Sequence, residues 1–382
     1  MKKIALFGST GSIGLSTLDI VRAHSDRFCL DVLAAGTSVQ ALAEQALEFR
    51  PSVLVVGRSE AERPLREALG SHANEFEIMA GPDGLKEAAG LSGLDIVVSG
   101  VTGAQGLPVS LGALNAGHRL ALANKESMVM AGPLLNAIAT ENQTEIIPVD
   151  SEHSALFQCL LTGQSRDLKS LILTASGGPF RELPKADFKD VTLERALKHP
   201  TWDMGPKISI DSATMFNKAL EIVEARWLFG VPRSQIDVVV HPQSIVHSMV
   251  LWDDGSVISQ MGIPSMKIPI QYAMTYPDRL PGTVETYTPE SFNNLNFYAP
   301  DTEKFPSITL GFLAAEKGGT SGAVLNAANE EAVARFMNGK LGFQDIFDRV
   351  GQVMERHVCQ DDPTLDEILD ADAWAREEIA RC

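Results

Sequence analysis

The chain has 382 residues, 45% of them hydrophobic and 21% charged, which is enough for two or three globular domains, each with its own core. Its formal net charge of −17 argues against nucleic acid or an anionic membrane as the main partner, but it does not exclude a phosphorylated small molecule. The four cysteines are dispersed and form no C-x-x-C pair, which argues against a disulfide framework and a zinc site.

The chain begins with a short apolar strand, residues 4–7, that runs into the glycine-rich turn Gly8-Ser-Thr-Gly-Ser-Ile-Gly14 and then a helix. This is the context of a dinucleotide-binding fingerprint, in which glycines let a pyrophosphate approach the helix N-terminus. The spacing G-x-x-G-x-x-G is only moderately specific, so a tight turn without a ligand is the alternative. The apolar run stops at Gly8, too short for a signal peptide, and we expect a cytoplasmic protein.

Short apolar segments alternate with helical patterns through the first 150 residues, near positions 30–34, 53–56, 95–99, 119–122 and 145–148. This alternation predicts an α/β fold with a Rossmann-like, doubly wound parallel sheet over residues 1–150. Gly36-Thr-Ser38 follows the second strand, where an NAD enzyme usually has Asp or Glu. An uncharged turn suits a 2′-phosphate better, and we therefore expect NADP rather than NAD.

Asn124-Lys125-Glu126 follows another predicted strand end, where ligands collect in such sheets. Lys125 is placed to meet substrate or cofactor charge, and Asn124 and Glu126 to bond the nicotinamide side. A capping arrangement at the start of a helix is an equally good interpretation.

Asp150 and Glu152 are two positions apart at a predicted strand end. In an extended backbone both carboxylates point the same way, and Glu221 supplies a third oxygen ligand. Such a set suits Mg²⁺ or Mn²⁺ and leaves positions for substrate oxygens. The alternative is that Asp150 and Ser151 cap the helix that follows.

A phosphate pocket is indicated by two segments. Ser176 and the glycines after it follow a strand at 171–174, and a second helix start lies at Asp211 or Ser212. That helix is predicted to end at Gly230, with an apolar stripe on one side and the polar side chains Asn217, Lys218, Glu221 and Glu224 on the other. These side chains provide an amide, a cation and acids next to a helix N-terminus that attracts anions, so they could hold a phosphate and a cation together. The simpler interpretation is the solvated face of an amphipathic helix.

The segment 199–207 precedes this helix and has the composition of an active-site flap, with Trp202, Met204, one Gly and two Pro. His247 is a candidate for lining the pocket. We predict an α+β catalytic domain at 151–285, a linker at 286–305 and a helical bundle at 306–382, with helices near 307–317, 323–337, 343–357 and 364–380.

Together these features indicate an enzyme that reduces a phosphorylated hydroxy-carbonyl compound with a nicotinamide cofactor and a divalent metal. Two alternatives stay open. One is a simple NADP dehydrogenase without skeletal rearrangement, although plain hydride transfer does not require the three carboxylates. The other is a non-catalytic NADP-binding sensor.

The chain resembles the 1-deoxy-D-xylulose 5-phosphate reductoisomerase family along essentially its whole length. The resemblance is carried by motifs in the family's order, Gly8-Ser-Thr-Gly-Ser-Ile-Gly14, Asn124-Lys-Glu126, Pro148-Val-Asp-Ser-Glu-His153, Ala175-Ser-Gly-Gly-Pro-Phe180, His199-Pro-Thr-Trp-Asp-Met-Gly205, Asp211-Ser-Ala-Thr-Met215, Asn217-Lys218 with Leu220-Glu221, and His241-Pro-Gln-Ser244.

The resemblance implies NADPH-dependent conversion of 1-deoxy-D-xylulose 5-phosphate to 2-C-methyl-D-erythritol 4-phosphate, in the non-mevalonate route to isoprenoid precursors. It also implies a homodimer with a C-terminal helical bundle, and a metal held by Asp150, Glu152 and Glu221. Retro-aldol and aldol steps are implied before the hydride transfer.

The resemblance also implies contact residues. Those implied for substrate are Lys125, Ser151, Glu152, Ser176, His199, Trp202, Ser212, Asn217, Lys218 and Glu221. Those implied for NADPH are Thr10, Gly11, Ser12, Ile13, Gly36, Ser38, Asn124, Lys125, Glu126 and Gly205. Trp202 matches a flap residue that closes over substrate, and Met204 and Met266 line the same pocket. Lys125, Asp150, Glu152 and Glu221 form the implied catalytic set.

The chain departs from the family pattern at a few positions. Thr37-Ser38 stands where the family often has a basic residue and Asn, which bears on the strength of the preference for NADPH over NADH. Pro206 lies in the flap, and Ala219 replaces a common Gly.

Overall fold

Contacts divide the chain into two units in this computed structural model, which describes residues 1–198, 202, 204–292 and 294–381. Unit 1 comprises Met1–Ser127, Leu135–Asp150 and Ser265–Glu285, and unit 2 comprises Met128–Leu134, Ser151–Pro264 and Thr286–Cys382. The sequence predicts four consecutive segments, and the observed division differs from them. Residues 265–285 group with unit 1, and the C-terminal helices group with the catalytic segment in unit 2.

Unit 1 is built on a parallel sheet of seven strands in the order β4-β3-β2-β1-β5-β6-β7. The strands are β1 (Lys2–Phe7), β2 (Phe28–Ala35), β3 (Val53–Val56), β4 (Glu77–Ala80), β5 (Ile96–Ser99), β6 (Arg119–Leu122) and β7 (Ile146–Pro148). The sequence order reverses on either side of β1, as in a doubly wound fold. The predicted α/β architecture is confirmed.

Strand β4 has no counterpart among the predicted strands. It lies at one edge of the sheet, and its side chains are exposed or only half-buried. The interior strands β3 and β5 are wholly buried, and their apolar runs, Val53–Val56 and residues 96–98, are why the sequence pattern predicts them.

Helices connect these strands. They are α1 (Ser12–Ala23), α2 (Val39–Phe49), α3 (Glu62–Leu69), α4 (Gly81–Ala89), α5 (Leu107–Asn115) and α6 (Lys125–Glu141). Helix α6 is kinked at Ala131, two residues before Pro133, whose ring is incompatible with a straight helix interior. Later in the chain, α11 (Lys267–Thr275) packs against α1, and its Lys267 forms an ion pair of 2.7 Å with Asp19.

Unit 2 contains a mixed sheet of four strands in the order β11-β10-β8-β9. The strands are β8 (Leu168–Ala175), β9 (Ile236–Val240), β10 (Val246–Trp252) and β11 (Val257–Met261). Strand β10 is antiparallel to both neighbours, whereas β8 and β9 are parallel. The predicted strand at 171–174 is therefore the second half of a longer one.

The helices of unit 2 cover this sheet and extend to the C-terminus. They are α7 (Ser151–Leu160), α8 (Leu193–Ala196), α9 (Pro206–Ala213), α10 (Phe216–Phe229), α12 (Ser307–Lys317), α13 (Ser321–Met337), α14 (Phe343–Arg356) and α15 (Leu365–Arg381). The last four match the predicted helices closely. The predicted linker contains a 3₁₀ turn at Pro289–Phe292.

The single helix predicted from Asp211 or Ser212 to Gly230 is wrong at its start. Asp211 and Ser212 lie inside α9, and α10 begins only at Phe216, because Met215 takes a left-handed conformation with φ of 59°. Gly230, with φ of 64°, ends α10 as predicted.

Close packing fixes α10 in the core of unit 2. A Cβ on Gly311 of α12 would lie 2.5 Å from the Cα of Ala219, so only glycine allows the two helices to approach this closely. Phenylalanine rings fill the space beyond, with Phe216 stacked 6.0 Å from Phe347. None of the helices within the described residues is long and apolar enough to cross a membrane.

Candidate active site

The glycine turn after β1 depends on two glycines for its shape. Gly8 has φ of 82°, and a Cβ there would lie 2.5 Å from the carbonyl oxygen of Gly100. A Cβ on Gly14 would lie 2.3 Å from the carbonyl oxygen of Gly8. Neither position can accept a side chain without moving backbone, so the turn is as tight as the sequence pattern requires.

The helix that follows has an N-terminus suited to an anion. Its N-cap is Gly11, which makes no side-chain cap, and its first turn contains no acidic residue. Gly11 and Ser12 are exposed, and Thr10 and Ile13 are half-buried. Backbone N–H groups and the helix dipole therefore face a position that a pyrophosphate can occupy.

The turn after β2 lies beside this one, because the backbone N–H groups of Gly8 and Ser9 both donate to Ala34 at 2.9 Å. Gly36 and Ser38 are exposed there, and a Cβ on Gly36 would meet no atom within 4 Å. The turn after β2 is therefore open at Gly36, and its predicted contact with the cofactor stays a prediction.

Asn124 caps helix α6. Its Oδ1 accepts from the backbone N–H of Ser127 at 3.0 Å, and its Nδ2 donates to the carbonyl oxygens of Val101 and Gly103 and to the carboxylate of Glu126. The capping interpretation is therefore confirmed for Asn124. Because Asn124 is 1% exposed and Glu126 7%, their predicted contact with the nicotinamide side stays a prediction.

Lys125, the first residue of α6, donates from its amino group to the carboxylate of Asp150 within unit 1. The two side chains are only 8% and 10% exposed. The charge that Lys125 was expected to offer to substrate or cofactor is thus held beside one of the predicted metal ligands.

The carboxylates of Glu152 and Glu221 meet in unit 2 at a shared cation. The amino group of Lys218 donates to Glu152 Oε1 at 3.0 Å and also to Glu221 Oε2. Asn217 donates to the second oxygen of Glu221, and Ser151 to the second oxygen of Glu152. These five predicted residues therefore form one hydrogen-bonded group.

The predicted extended backbone around Glu152 is wrong. Strand β7 ends at Pro148, and Ser151 and Glu152 form the first turn of helix α7. Glu152 therefore reaches Lys218 from a helix start, and its orientation does not follow from the alternation of a strand. Asp150 is the last residue of the segment Leu135–Asp150 of unit 1 and precedes Glu152 by two positions.

The polar side of α10 is not a solvated face. Lys218 is 2% exposed, and Glu221 and Glu224 are 0% exposed. Burying charged side chains is costly unless they are paired, and here Lys218 pairs with Glu221. The simpler interpretation, a solvated amphipathic helix, is wrong.

Sequence reasoning missed a second buried pair beside this group. His153 Nε2 lies 2.9 Å from the backbone carbonyl oxygen of Glu221, and His153 Nδ1 lies 3.3 Å from a carboxylate oxygen of Glu224. Both side chains are fully buried. The signal in the sequence is that each residue lies close to a predicted ligand. His153 directly follows Glu152 in the chain, and Glu224 follows Glu221 by one helical turn.

The predicted phosphate segments meet in unit 2. After β8, the backbone N–H of Gly178 donates to Ser176 Oγ at 3.2 Å, and Gly177 and Gly178 both have positive φ. A Cβ on Gly178 would lie 2.5 Å from the carbonyl oxygen of Ser212 in α9. The turn that carries Ser176 is therefore packed directly against the backbone of Ser212.

The predicted flap is only partly within the described residues. His199 lies outside them, whereas Trp202 and Met204 are half-buried in unit 2. Gly205 is the N-cap of α9, and Met266 precedes α11 in unit 1. Lys207, the last residue of the predicted flap, forms an ion pair of 2.5 Å with the buried Asp211.

His247, on β10, is 7% exposed. Burial lowers the pKa of His247 below its ordinary value of 6.5, although the negative charge of Glu152 acts in the opposite direction. The expected place of His247 in the pocket lining stays a prediction.

The donor set of unit 2 fits a divalent cation. Glu152 and Glu221 offer hard carboxylate oxygens of the type that Mg²⁺ and Mn²⁺ bind. Both carboxylates already face one positive charge, the amino group of Lys218. In unit 1, the turn at Gly8 and the start of α1 fit the pyrophosphate of a dinucleotide for the reasons given above.

Comparison with protein-family models gives matches along most of the chain. Residues 4–132 match the model for 1-deoxy-D-xylulose 5-phosphate reductoisomerase, and residues 146–229 match the model for the C-terminal domain of that enzyme. Residues 261–378 match a second C-terminal domain model, for DXP reductoisomerase.

Curated relatives and solved structures agree with these matches. The chain is 49% identical over 377 residues to 1-deoxy-D-xylulose 5-phosphate reductoisomerase of Chlorobium chlorochromatii, covering 99% of this chain and 98% of the relative. It is 50% identical over 378 residues to the enzyme of Chlorobaculum tepidum, with the same coverage.

Among solved structures, a DOX-P reductoisomerase in complex with NADPH, fosmidomycin and magnesium superposes with a TM-score of 0.96 at 38% identity, covering 100% of this chain and 98% of that one. The 1-deoxy-D-xylulose 5-phosphate reductoisomerase of Zymomonas mobilis in complex with NADPH gives a TM-score of 0.91 at 39% identity, with the same coverage.

Proposed function

This chain belongs to the 1-deoxy-D-xylulose 5-phosphate reductoisomerase family, and we propose that Asp150, Glu152 and Glu221 hold the divalent cation of its reaction. The enzyme is an NADP-dependent oxidoreductase that converts 1-deoxy-D-xylulose 5-phosphate to 2-C-methyl-D-erythritol 4-phosphate in isoprenoid precursor biosynthesis. When bound, the cation polarises carbonyl and hydroxyl oxygens of the substrate, and NADPH supplies the hydride.

One observation carries the assignment of the metal ligands. Glu152 and Glu221 come from two different helices, are largely or fully buried, and share the amino group of Lys218. Two acidic groups held together in this way strongly favour positive charge between them. Asp150 is two positions before Glu152 in the chain, which supports it as the third ligand.

Lys125 and Lys218 each hold an acid of this set in place. Lys125 bonds Asp150, and Lys218 bonds both glutamates. We assign Lys125 to the junction between substrate and cofactor, and Lys218 with Asn217 to the substrate side. An ammonium group next to the reacting oxygens also stabilises negative charge that develops on them.

The phosphate of the substrate is assigned to Ser176, Ser212, Asn217, Lys218 and His199. The contact between the Gly178 turn and the Ser212 backbone supports this assignment, because it brings two hydroxyl-bearing segments to one place in unit 2. Ser151 is assigned to the substrate as well, which its bond to the proposed metal ligand Glu152 supports. Trp202, with Met204, is assigned to the flap that excludes water from the bound substrate.

NADPH is assigned to the glycine turn and the edge of the parallel sheet. Thr10 to Ile13 meet the pyrophosphate, Gly36 and Ser38 the ribose phosphate, and Asn124 and Glu126 the nicotinamide side. Gly205 is assigned as a further NADPH contact. The uncapped start of α1 and the open space at Gly36 support the first two assignments. We further propose that the enzyme is a cytoplasmic homodimer, and size-exclusion chromatography with light scattering tests the dimer directly.

The experiment that tests the site is NADPH oxidation by the substrate with and without Mg²⁺, for the parent and for Asp150→Asn and Glu152→Gln. If the carboxylates hold the cation, each substitution lowers kcat by several orders of magnitude and weakens binding of Mn²⁺. A plain NADP dehydrogenase would oxidise NADPH without added metal and would tolerate both substitutions. A non-catalytic sensor would bind NADPH and oxidise none.

A further inference from the structure

Glu224 lies in the core of unit 2 beside the proposed metal ligands, without being one of them. It follows Glu221 by one helical turn on α10, and its side chain is 0% exposed. Its carboxylate lies 3.3 Å from Nδ1 of His153, which is also 0% exposed and follows Glu152 on α7. Glu224 therefore lies on the same helix as the proposed ligand Glu221, and His153 on the same helix as the proposed ligand Glu152.

The hydrogen positions on His153 follow from its neighbours. Nε2 lies 2.9 Å from the carbonyl oxygen of Glu221, and because a carbonyl can only accept, Nε2 carries a hydrogen. Nδ1 faces a carboxylate oxygen of Glu224 at 3.3 Å, so these two buried side chains limit each other's orientation.

This arrangement connects the two ligand-bearing helices. Glu224 orients the imidazole of His153, and the imidazole bonds the backbone of Glu221 across from α7. The ring of Phe229 lies nearly parallel to the imidazole at a centroid distance of 6.3 Å. A route of contacts therefore runs from Glu224 through His153 to the backbone of Glu221.

We propose that Glu224 is a positioning residue for the metal site: acting through His153, it fixes the distance between the carboxylates of Glu152 and Glu221. The inference rests on the proposed function, because it concerns the same cation. Residues that orient metal ligands through hydrogen bonds typically change metal affinity by about 10- to 100-fold when they are replaced.

The test compares Glu224→Gln with Glu224→Met in the full chain. Gln keeps a donor for Nδ1 of a neutral imidazole, whereas Met fills the space and removes the polar contact. Affinity for Mn²⁺ is measured by electron paramagnetic resonance, affinity for NADPH by fluorescence, and folding by circular dichroism. Ser307→Ala is the control, since Ser307 is buried in the same unit and donates to the carbonyl oxygen of Thr214 at 2.6 Å.

We expect Glu224→Met to weaken Mn²⁺ binding by about 10- to 100-fold and Glu224→Gln by no more than about threefold. NADPH affinity and the Mn²⁺ affinity of Ser307→Ala should equal those of the parent. The proposal is overturned if Glu224→Met binds Mn²⁺ as tightly as the parent, or if Ser307→Ala weakens binding equally.

If Glu224→Met does not fold, Glu224→Asp takes its place, because a carboxylate shorter by one methylene group cannot hold the imidazole in the same position. Equal Mn²⁺ affinity of the Asp and Gln variants would then contradict the proposal. Failure of the proposed function looks different: the parent itself would bind no Mn²⁺ and would oxidise no NADPH with the substrate.

Discussion

The amino group of Lys218 on helix α10 lies 3.0 Å from the carboxylate of Glu152 on helix α7, across a sequence separation of 66 residues. The same amino group bonds Glu221, so a single cation joins the two glutamates. Lys218 is 2% exposed and Glu221 0%, and water therefore does little to screen these charges. The stability of the site depends on positive charge at this point.

Replacing that cation should make stability depend on added metal. In Lys218→Met the buried carboxylates lose their counter-charge, and breaking a buried pair costs roughly 3–5 kcal/mol. Mg²⁺ should restore some of this loss, so the rise in melting temperature on adding Mg²⁺ should be larger for the variant than for the parent. Thermal denaturation with and without Mg²⁺ measures both.

Lys340→Met serves as the matched control, because Lys340 is exposed and lies between α13 and α14. Its melting temperature should stay close to that of the parent under both conditions. An Mg²⁺ response of Lys218→Met no larger than that of the parent would show that the cation binds elsewhere.

Gly14→Ala should distort the glycine turn that we assign to the cofactor, because the added Cβ would clash with the backbone of the turn. Its Cβ would lie 2.3 Å from the carbonyl oxygen of Gly8, whereas a Cβ on Gly11 would come no closer than 3.5 Å to that atom. We expect Gly14→Ala to destabilise the protein by roughly 1–3 kcal/mol and to weaken NADPH binding, while Gly11→Ala changes stability by less than about 0.5 kcal/mol. Urea denaturation without cofactor compares the two, and equal losses would be evidence against the packing argument.

Gly178→Ala should weaken binding of the substrate without changing binding of the cofactor. The residue has φ of 66°, and its Cβ would press on the carbonyl oxygen of Ser212 at 2.5 Å. Displacing this turn should raise KM for the phosphorylated substrate by about 10-fold and leave KM for NADPH within about twofold. Gly255→Ala has the same unfavourable φ, at 86°, with no atom within 4 Å, and should change neither KM. A parallel rise in both KM values would contradict the assignment of Ser176 and Ser212.

Stability should depend on pH through His357, next to α14. Burial, and then the charge of Lys317, lower the pKa of His357 below its ordinary value of 6.5. The unfolded chain therefore takes up a proton near pH 6.5 that the folded chain does not, so this contribution to stability is present above that pH and declines as pH falls below it. Relative to the parent, His357→Gln should gain stability between pH 7.5 and pH 5.

Urea denaturation of both proteins at the two pH values measures this difference. Gln keeps a polar contact for Thr320, whose hydroxyl lies 2.8 Å from Nε2 of the imidazole. If the difference in unfolding free energy between His357→Gln and the parent is the same at both pH values, the pKa of His357 is not lowered in the folded state.

The parallel sheet was predictable because its strands are continuous apolar runs punctuated by glycine turns, a pattern that few other folds produce. Strand β4 was not predicted, because an edge strand with exposed or half-buried side chains has no such run. The helix interruption at Met215 was also out of reach, since a left-handed conformation at a non-glycine residue is imposed by packing and has no signature in the apolar periodicity.

The spacing of the polar residues along the sequence identified them as site residues, but it did not predict that they are buried. The offsets of Asn217, Lys218, Glu221 and Glu224 place them on one side of a helix, and a solvated face and a buried site share that pattern. Burial arises from distant segments, α7 and α12, that pack around α10. The pairing of Glu224 with His153 depends on the same long-range packing, and only the structure shows it.

The most direct test of the account compares the parent with Glu221→Gln in NADPH oxidation by 1-deoxy-D-xylulose 5-phosphate, with and without Mg²⁺, and identifies the product by NMR. We expect oxidation only with Mg²⁺, the branched product 2-C-methyl-D-erythritol 4-phosphate, and a loss of at least about 10³-fold in kcat for Glu221→Gln. Oxidation without metal, an unbranched reduced sugar, or full activity of Glu221→Gln would contradict this expectation.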